Sequence, residues 1–268
     1  MIAFAHGKIN LGLNVISKRS DGFHNIETCF YPLPLADVVE IIPSRKFSFT
    51  QSGLPVPGGD DNLCLRACRL LKEELSIPEV KIHLHKVVPM GAGLGGGSSD
   101  AAFTLRLLNA VFDLKIPVAR LKEYAARLGS DCSFFIEDLP MVGSGRGEIL
   151  SPIDLDLEGV HVVLVKPDIH VATADAYRDV QPAPAQQPLR KILALEKFRW
   201  RDVLKNDFEG SIFRKYPQIG EVKNKLYSLG AFYASMSGSG AAVFGLFERP
   251  LALQREFPGA FYWSGELK

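Results

Sequence analysis

Apolar and polar residues alternate at the start of the chain and later give way to steps of three and four. Ile9, Leu11, Leu13 and Val15 fall on one side of an extended run over residues 2–16, with Lys8, Asn10, Gly12 and Asn14 on the other. That period predicts a strand or a bent strand pair, with a kink at Gly7. Lys8 and Asn10, two residues apart, share one face, which is either part of a site or an ordinary solvent face. Ser20-Asp21-Gly22 is a turn signal, and residues 23–30 read as a second strand. Further strands are expected at 37–42 and 47–51, followed by a loop at 53–61 that holds two prolines and paired glycines.

Asp61 stands where it would cap a helix from residue 62 to about 75, whose buried side is Leu63, Ala67, Leu70, Leu71 and Leu75. Val80, Ile82 and Leu84 alternate with Lys81, His83 and His85, a half-buried strand reaching about residue 88. Ala101, Ala102, Leu105, Leu108 and Phe112 then line a helix face. Pro117 opens another helix over 118–128, broken by Gly129-Ser130-Asp131, which puts a carboxylate between a helix end and an aromatic run. Residues 141–150 carry three glycines and predict a tight return with a short strand; 160–165 is a β-branched strand. Beyond it come a short helix at 173–177, a Pro/Gln/Ala-rich loop at 179–188, and helices at 189–197, 201–213 and 217–229. A second glycine-serine turn at 237–240 precedes a buried strand. No fixed-period repeat is visible.

With 268 residues, 47% of them hydrophobic, the chain can bury a sizeable core in one large or two small domains. The net charge of +1 is scattered, which excludes a nucleic-acid footprint. Cys29, Cys64, Cys68 and Cys132 lack zinc-site spacing and suit a reducing compartment. Residues 1–8 are too short and interrupted for a signal peptide, and no run approaches the ~20 apolar residues that span a bilayer.

The candidate chemistry concentrates in Pro89-Met90-Gly91-Ala92-Gly93-Leu94-Gly95-Gly96-Gly97-Ser98-Ser99-Asp100, five glycines in seven positions and then two hydroxyls and a carboxylate. Glycines let backbone N–H groups converge on a ligand, and the following helix adds unpaired N–H groups and a positive dipole end. Strand, glycine loop and helix in that order predict a polyphosphate cradle; the plain alternative is a glycine-rich surface turn. A single charge at a helix end gains only ~0.3–1 kcal/mol, so tight binding needs several amides, hydroxyls and a metal together. The P-loop grammar fails, because Ser98-Ser99 follow the last glycine where a lysine is required. The dinucleotide grammar is met by Gly91, Gly93 and Gly96, but Asp113 at the acidic spacing has no strand before it; a hydride-transfer enzyme stays as the alternative.

The third grammar, P-x-G-x-G-L-G-S/G-S-S, resembles the ATP-binding loop of the GHMP small-molecule kinases. Gly7-Lys8-Ile9-Asn10-Leu11, Asp21-Gly22-Phe23-His24, Gly129-Ser130-Asp131 and Ser237-Gly238-Ser239-Gly240 match further motifs in the family's order. The triple glycine with Ser-Ser narrows the resemblance to the branch acting on a cytidine diphosphate-linked methylerythritol. It spans residue 8 to about residue 247. It implies an α/β (α+β) GHMP kinase fold in two lobes: a ribosomal-protein-like β-α-β lobe over 1–152 and a ferredoxin-like lobe over 153–268, with the active site in the cleft between. It also implies ATP and Mg²⁺ as cofactors, no metal-ligating side chain, no nucleic-acid or membrane partner, a monomer or homodimer, and a cytoplasmic location.

By the same resemblance Asp131 is the general base for the substrate's 2-hydroxyl and Lys8 its partner. Pro89, Met90, Gly91, Ala92, Gly93, Leu94, Gly95, Gly96, Gly97, Ser98 and Ser99 hold the nucleotide, and Asn62, Leu63 and Lys86 line its purine pocket. Asn10, Phe23, His24, Phe30, Thr173, Tyr177 and Gly238 meet the substrate, Phe23 standing where the family commonly has tyrosine. Asp100 either assists the metal or complements the helix dipole, with the dipole role favoured. Ala5-His6-Gly7 and Cys132-Ser133 depart from the family pattern beside Lys8 and Asp131. Without the resemblance, Asp131 reads as a capping carboxylate and Lys8 as a solvated strand lysine.

Overall fold

The alternating start of the chain produces two long strands, β1 (Ile2–Lys18) and β2 (His24–Pro43), joined by the turn at 20–22. The computed structural model describes residues 1–56 and 59–268. β3 (Ser48–Gly53), α1 (Leu63–Leu75), β4 (Val80–Lys86), α2 (Gly96–Val111), α3 (Val118–Leu128) and α4 (Phe134–Glu137) follow. Next come β5 (Met141–Ser144), β6 (Ile149–Pro152), β7 (His161–Lys166), α5 (Thr173–Arg178), α6 (Leu189–Leu193), α7 (Trp200–Val203), α8 (Glu209–Lys215) and α9 (Pro217–Ser228). The chain ends with β8 (Tyr233–Met236), β9 (Val243–Phe247) and β10 (Phe261–Glu266). Within the loop expected at 53–61, residues 57 and 58 lie outside the described residues.

The chain divides into two compact units. The first comprises Met1–Gly7, Leu35–Met90 and Gly95–Leu139; the second comprises Lys8–Pro34, Gly91–Leu94 and Pro140–Lys268. In the first unit β3 runs parallel to β4, and β4 pairs antiparallel with the last residues of β2, from Val38↔His85 to Pro43↔Val80. Its core takes Cys64, Ala67 and Leu71 from α1, Ala101, Leu105 and Leu108 from α2, and Phe134 and Phe135 from α4. In the second unit β5 pairs antiparallel with the early part of β2 and with β6. A separate antiparallel sheet has the order β10-β7-β9-β8. Leu13, Val15 and Ile26 pack there with Val163, Phe208, Ile219 and Val243.

Three expectations need correction. β1 passes through Gly7 unbroken; the left-handed residue is Gly12, φ +72°, where a Cβ would lie 2.6 Å from Leu204 and 2.8 Å from Leu189 side-chain carbons. The helix expected at 201–213 is two short helices parted at 204–208, because the Asn206 side chain and the backbone of Lys205 and Asp207 bond elsewhere. Residues 141–150 hold strands on both sides of the return, and β10, unanticipated, completes an edge of the second sheet.

Candidate active site

In the second unit the polar face of β1 turns inward. Lys8 and Asn10 are only 3% and 2% exposed, so the solvent-face alternative is ruled out. The Lys8 ammonium donates to Asn10 Oδ1 at 2.5 Å and to the Gly93 carbonyl at 2.8 Å. Asn10 Nδ2 donates to Thr28 Oγ1 at 2.9 Å, and that hydroxyl donates to the Gly12 carbonyl. Every polar atom in this relay is therefore oriented, as a buried amide requires. Phe30 lies under the lysine, its ring centroid 5.4 Å from Nζ.

The Gly93 carbonyl also accepts from Ser237 Oγ at 2.8 Å. A Cβ on Gly93 would sit 1.9 Å from the Ser237 carbonyl oxygen, and the residue's φ is +77°. Only glycine permits that approach. The turn between β8 and β9 reaches the loop a second time through Ala242 N–H to the Ala92 carbonyl, 3.2 Å. Residues 91–94 of the glycine run and the turn at 237–240, two separate motifs in the sequence, thus form one backbone assembly.

Aromatic residues gather elsewhere in this unit. His24 stacks on Tyr177, centroids 4.9 Å apart and planes 21° from parallel, and Tyr177 meets Phe208 edge-on. Phe23 is 54% exposed, with the Arg146 guanidinium 5.0 Å from its ring centre. A simple core-packing role for Phe23 is excluded by that exposure. Thr173, the first residue of α5, has its hydroxyl 3.4 Å from that of Ser239. Gly238 approaches Asn10 Oδ1 and the Gly93 backbone.

The first unit, described by itself, holds other residues expected to serve the chemistry. α2 begins inside the glycine run, with Gly95 at its N-cap. Asn62, not Asp61, caps α1, its Oδ1 accepting from the Cys64 N–H at 2.8 Å. Asn62, Leu63, Met90, Gly97 and Asp100 line a pocket of about 100 Å³ together with Val56 and Asp61. Asp131 is half-buried in the turn after α3, where the Ser130 hydroxyl donates to its Oδ1 at 3.3 Å.

Lys86 is buried, and its ammonium binds Asp37 and, at 2.9 Å, Asp100. Asp37 Oδ1 also accepts the N–H groups of Val87 and Val88, at 2.6 and 2.8 Å. Burial works to lower the Lys86 ammonium, but Asp100 and Asp37 outweigh it and hold it above its ordinary value. Burial pushes the Asp100 carboxyl up to about 7, against the pull of Lys86. The dipole role expected for Asp100 is thereby replaced: it lies in the second turn of α2, paired with a lysine, with Oδ1 unpartnered among the described residues. Ser99 Oγ is likewise buried without a partner among them.

Sequence reasoning missed Asp37 and Asn206. For Asp37 a signal existed: it interrupts the buried register Leu33, Leu35, Val39, Ile41 of β2, and a carboxylate there demands a cation. For Asn206 the signal was the Asn-Asp pair itself, since both residues favour turns and caps over helix interiors. Among the described residues no group of three or more His, Cys, Asp or Glu side chains is arranged to hold a metal ion.

The GHMP kinases N terminal domain family matches residues 62–138 and the GHMP kinases C terminal family residues 187–262. A 4-diphosphocytidyl-2-C-methyl-D-erythritol kinase of Bacteroides fragilis (strain YCH46) is 49% identical over 274 residues, covering 100% of both chains. One from Cytophaga hutchinsonii is 51% identical over 249 residues, 92% of each. A crystal structure of a 4-(cytidine 5'-diphospho)-2C-methyl-D-erythritol kinase superposes with a TM-score of 0.85 at 34% identity, covering 98% of each chain.

Proposed function

The chain belongs to the 4-diphosphocytidyl-2-C-methyl-D-erythritol kinase family of the GHMP kinases, and from that premise we propose how its residues carry the reaction. It is an ATP-dependent kinase that phosphorylates 4-diphosphocytidyl-2-C-methyl-D-erythritol in the non-mevalonate route to isoprenoid precursors. The observation that carries this is identity near one half sustained over the whole chain.

The acceptor is the 2-hydroxyl, and transfer is direct. Asp131 accepts the hydroxyl proton, and Lys8 supplies positive charge to the transferring group. Asn10, held by Lys8 and Thr28, orients the alcohol. Phe23 offers its exposed ring to the cytosine face, and His24, Phe30, Thr173, Tyr177 and Gly238 complete the substrate contacts. The residues fit a nucleotide: the α2 N-terminus opens at Gly96 inside the glycine run, and the Ser99 hydroxyl is buried in its first turn without a partner among the described residues. Residues 89–99 hold the nucleotide, and Asn62 and Leu63 line its purine side; Lys86, also expected there, is buried against Asp37 and Asp100 and does not line the pocket. Mg²⁺, held by nucleotide oxygens and water, neutralises phosphate charge when bound.

We place the lobe boundary at residues 152/153, between the two family matches; the compact units depart from it, since Lys8–Pro34, Gly91–Leu94 and residues 140–152 group with the later residues. A cytoplasmic location is supported by four free cysteines, all buried. Among the described residues no helix is long and apolar enough to cross a membrane. The protein acts as a monomer or homodimer, on small molecules and not on nucleic acid.

The test is phosphorylation with ATP and Mg²⁺ across 4-diphosphocytidyl-2-C-methyl-D-erythritol, mevalonate and homoserine. Turnover confined to the first is expected. Turnover confined to either of the others would overturn the substrate assignment, and normal ATP binding without turnover would make the chain a nucleotide-binding regulator.

A further inference from the structure

Residues 205–207 lie between helices α7 and α8, where only the Asn206 carbonyl is taken by a helix, through the Glu209 N–H at 3.0 Å, and they bond to two other parts of the second unit. On one side they grip β1: Leu13 N–H donates to the Lys205 carbonyl at 2.8 Å, and Asp207 N–H donates to the Leu13 carbonyl at 2.9 Å. Val15 N–H donates to Asp207 Oδ2 at 2.7 Å, so the edge of the strand is stapled from residue 13 to residue 15. On the other side Asn206 Nδ2 donates both its hydrogens to the turn after β8, reaching the Met236 and Gly238 carbonyls at 2.8 Å each. Its Oδ1 accepts the Phe208 N–H at 3.0 Å, which starts α8. The side chain is 3% exposed and fully satisfied.

The two parts so joined are those that carry the site's polar groups in this unit. β1 presents Lys8 and Asn10; the turn presents Ser237 and Gly238; both converge on the Gly93 carbonyl. We propose that Asn206 is a positioning residue for phosphoryl transfer, setting the distance between the Lys8–Asn10 strand and the Ser237–Gly238 turn and so the seat of the glycine loop. No other residue type does this. Aspartate of the same shape has no hydrogens to donate and would face two carbonyl oxygens with a charge. Alanine removes that donor from the Gly238 carbonyl and leaves the Met236 carbonyl with the Ser235 hydroxyl at 3.4 Å.

This inference rests on the kinase reading only for its kinetic part. The experiment compares the full chain with Asn206→Ala and Asn206→Asp, and uses Asp202→Asn, a substitution at an exposed position of α7, as a control. With ATP and 4-diphosphocytidyl-2-C-methyl-D-erythritol, kcat of the alanine variant is expected to fall roughly 10²-fold, the usual cost of misplacing reacting groups by about 1 Å. The ratio of ATP hydrolysed to alcohol phosphorylated should rise above that of the unsubstituted chain, because a displaced acceptor yields the phosphoryl group to water. A merely structural role would lower the folded fraction and leave that ratio unchanged, and that outcome would overturn the proposal.

Amide hydrogen exchange gives a readout independent of turnover. Peptides covering 233–242 and 91–94 should exchange faster in Asn206→Ala while the β7 peptide keeps its protection. Uniform acceleration, or none, would also overturn the proposal. If the unsubstituted chain fails to turn over, the functional reading falls and the exchange data alone decide this one. Should the aspartate variant not fold, the alanine variant carries both measurements.

Discussion

Asp131, the proposed base, and Phe23, the proposed cytosine contact, sit in different surroundings. Asp131 stands at a helix break, half-buried, with a serine hydroxyl on one oxygen. Asn at this position keeps the shape and loses the basicity, so Asp131→Asn should cut kcat by ~10²–10⁴-fold while ATP affinity by calorimetry stays the same. Near-normal turnover would remove Asp131 from the mechanism. Phe23 keeps a large ring in water, an arrangement that a folding argument does not supply. Stacking of a base on an aromatic ring is worth ~1–3 kcal/mol. Phe23→Ala should therefore raise KM for the cytidine substrate about tenfold or more with KM for ATP unmoved, whereas Phe23→Tyr should match the parent. An equal rise in both constants would place the ring outside the pyrimidine contact.

Among the elements, a glycine of the loop and a glycine of a helix differ in what they can tolerate. At Gly93 a methyl group would lie 1.9 Å from the Ser237 oxygen, with φ +77° adding its own penalty. A left-handed non-glycine residue costs ~1–2 kcal/mol before any clash, and Gly93→Ala should lower kcat/KM for ATP at least about tenfold. Gly210, near the start of α8, has nothing within 4 Å of its missing Cβ. Gly210→Ala should stabilise the chain by about 0.5–1 kcal/mol in urea titration and leave kcat alone. Regular elements of this kind were legible in advance. α3 begins and ends where its period and flanking proline and glycine put it, and Ile9, Leu11, Leu13 and Val15 are all buried. Local pattern failed where a long-range partner overrode it. The helical run breaks at Asn206 because its side-chain amide serves the carbonyls of Met236 and Gly238 while the backbone of Lys205 and Asp207 pairs with Leu13. β10 exists because β7 offers it an edge, which no window on residues 261–266 reveals. The residues proposed for the site were picked out by motif, and of these Lys8 and Asn10 are buried as a solvated strand face would not be; the Asp37–Lys86–Asp100 cluster was not legible, since its members are drawn from β2, β4 and α2.

For the molecule as a whole that cluster makes stability depend on pH in a predictable direction. Asp100 titrates near its ordinary 3.8 when the chain is unfolded and at about 7 when folded. Between those values the folded state holds the proton that the unfolded state has lost, so this group's contribution to stability falls as pH rises across the window and is level above it. Asn at position 100 has no such proton. Urea midpoints of the parent and of Asp100→Asn from pH 4 to 8 should diverge steadily in the parent's disfavour up to about pH 7; a constant gap would show Asp100 ionised throughout. Lys86, raised above its normal value, stays protonated across the same range and adds no slope.

Chain connectivity has a consequence of its own. Each unit is stitched from three segments, and the polypeptide passes from one to the other five times, within β1, within β2, on both sides of 91–94 and at 139/140. Leu13, Val15 and Ile26 emerge early in synthesis, yet the side chains that cover them, Val163, Phe208 and Val243 among them, come from far downstream. A ribosome paused midway through this message would therefore display greasy strands with nothing to shield them. The same weave suggests that a gene cut at codon 140 would give two halves, neither soluble when made alone, that regain activity when made together.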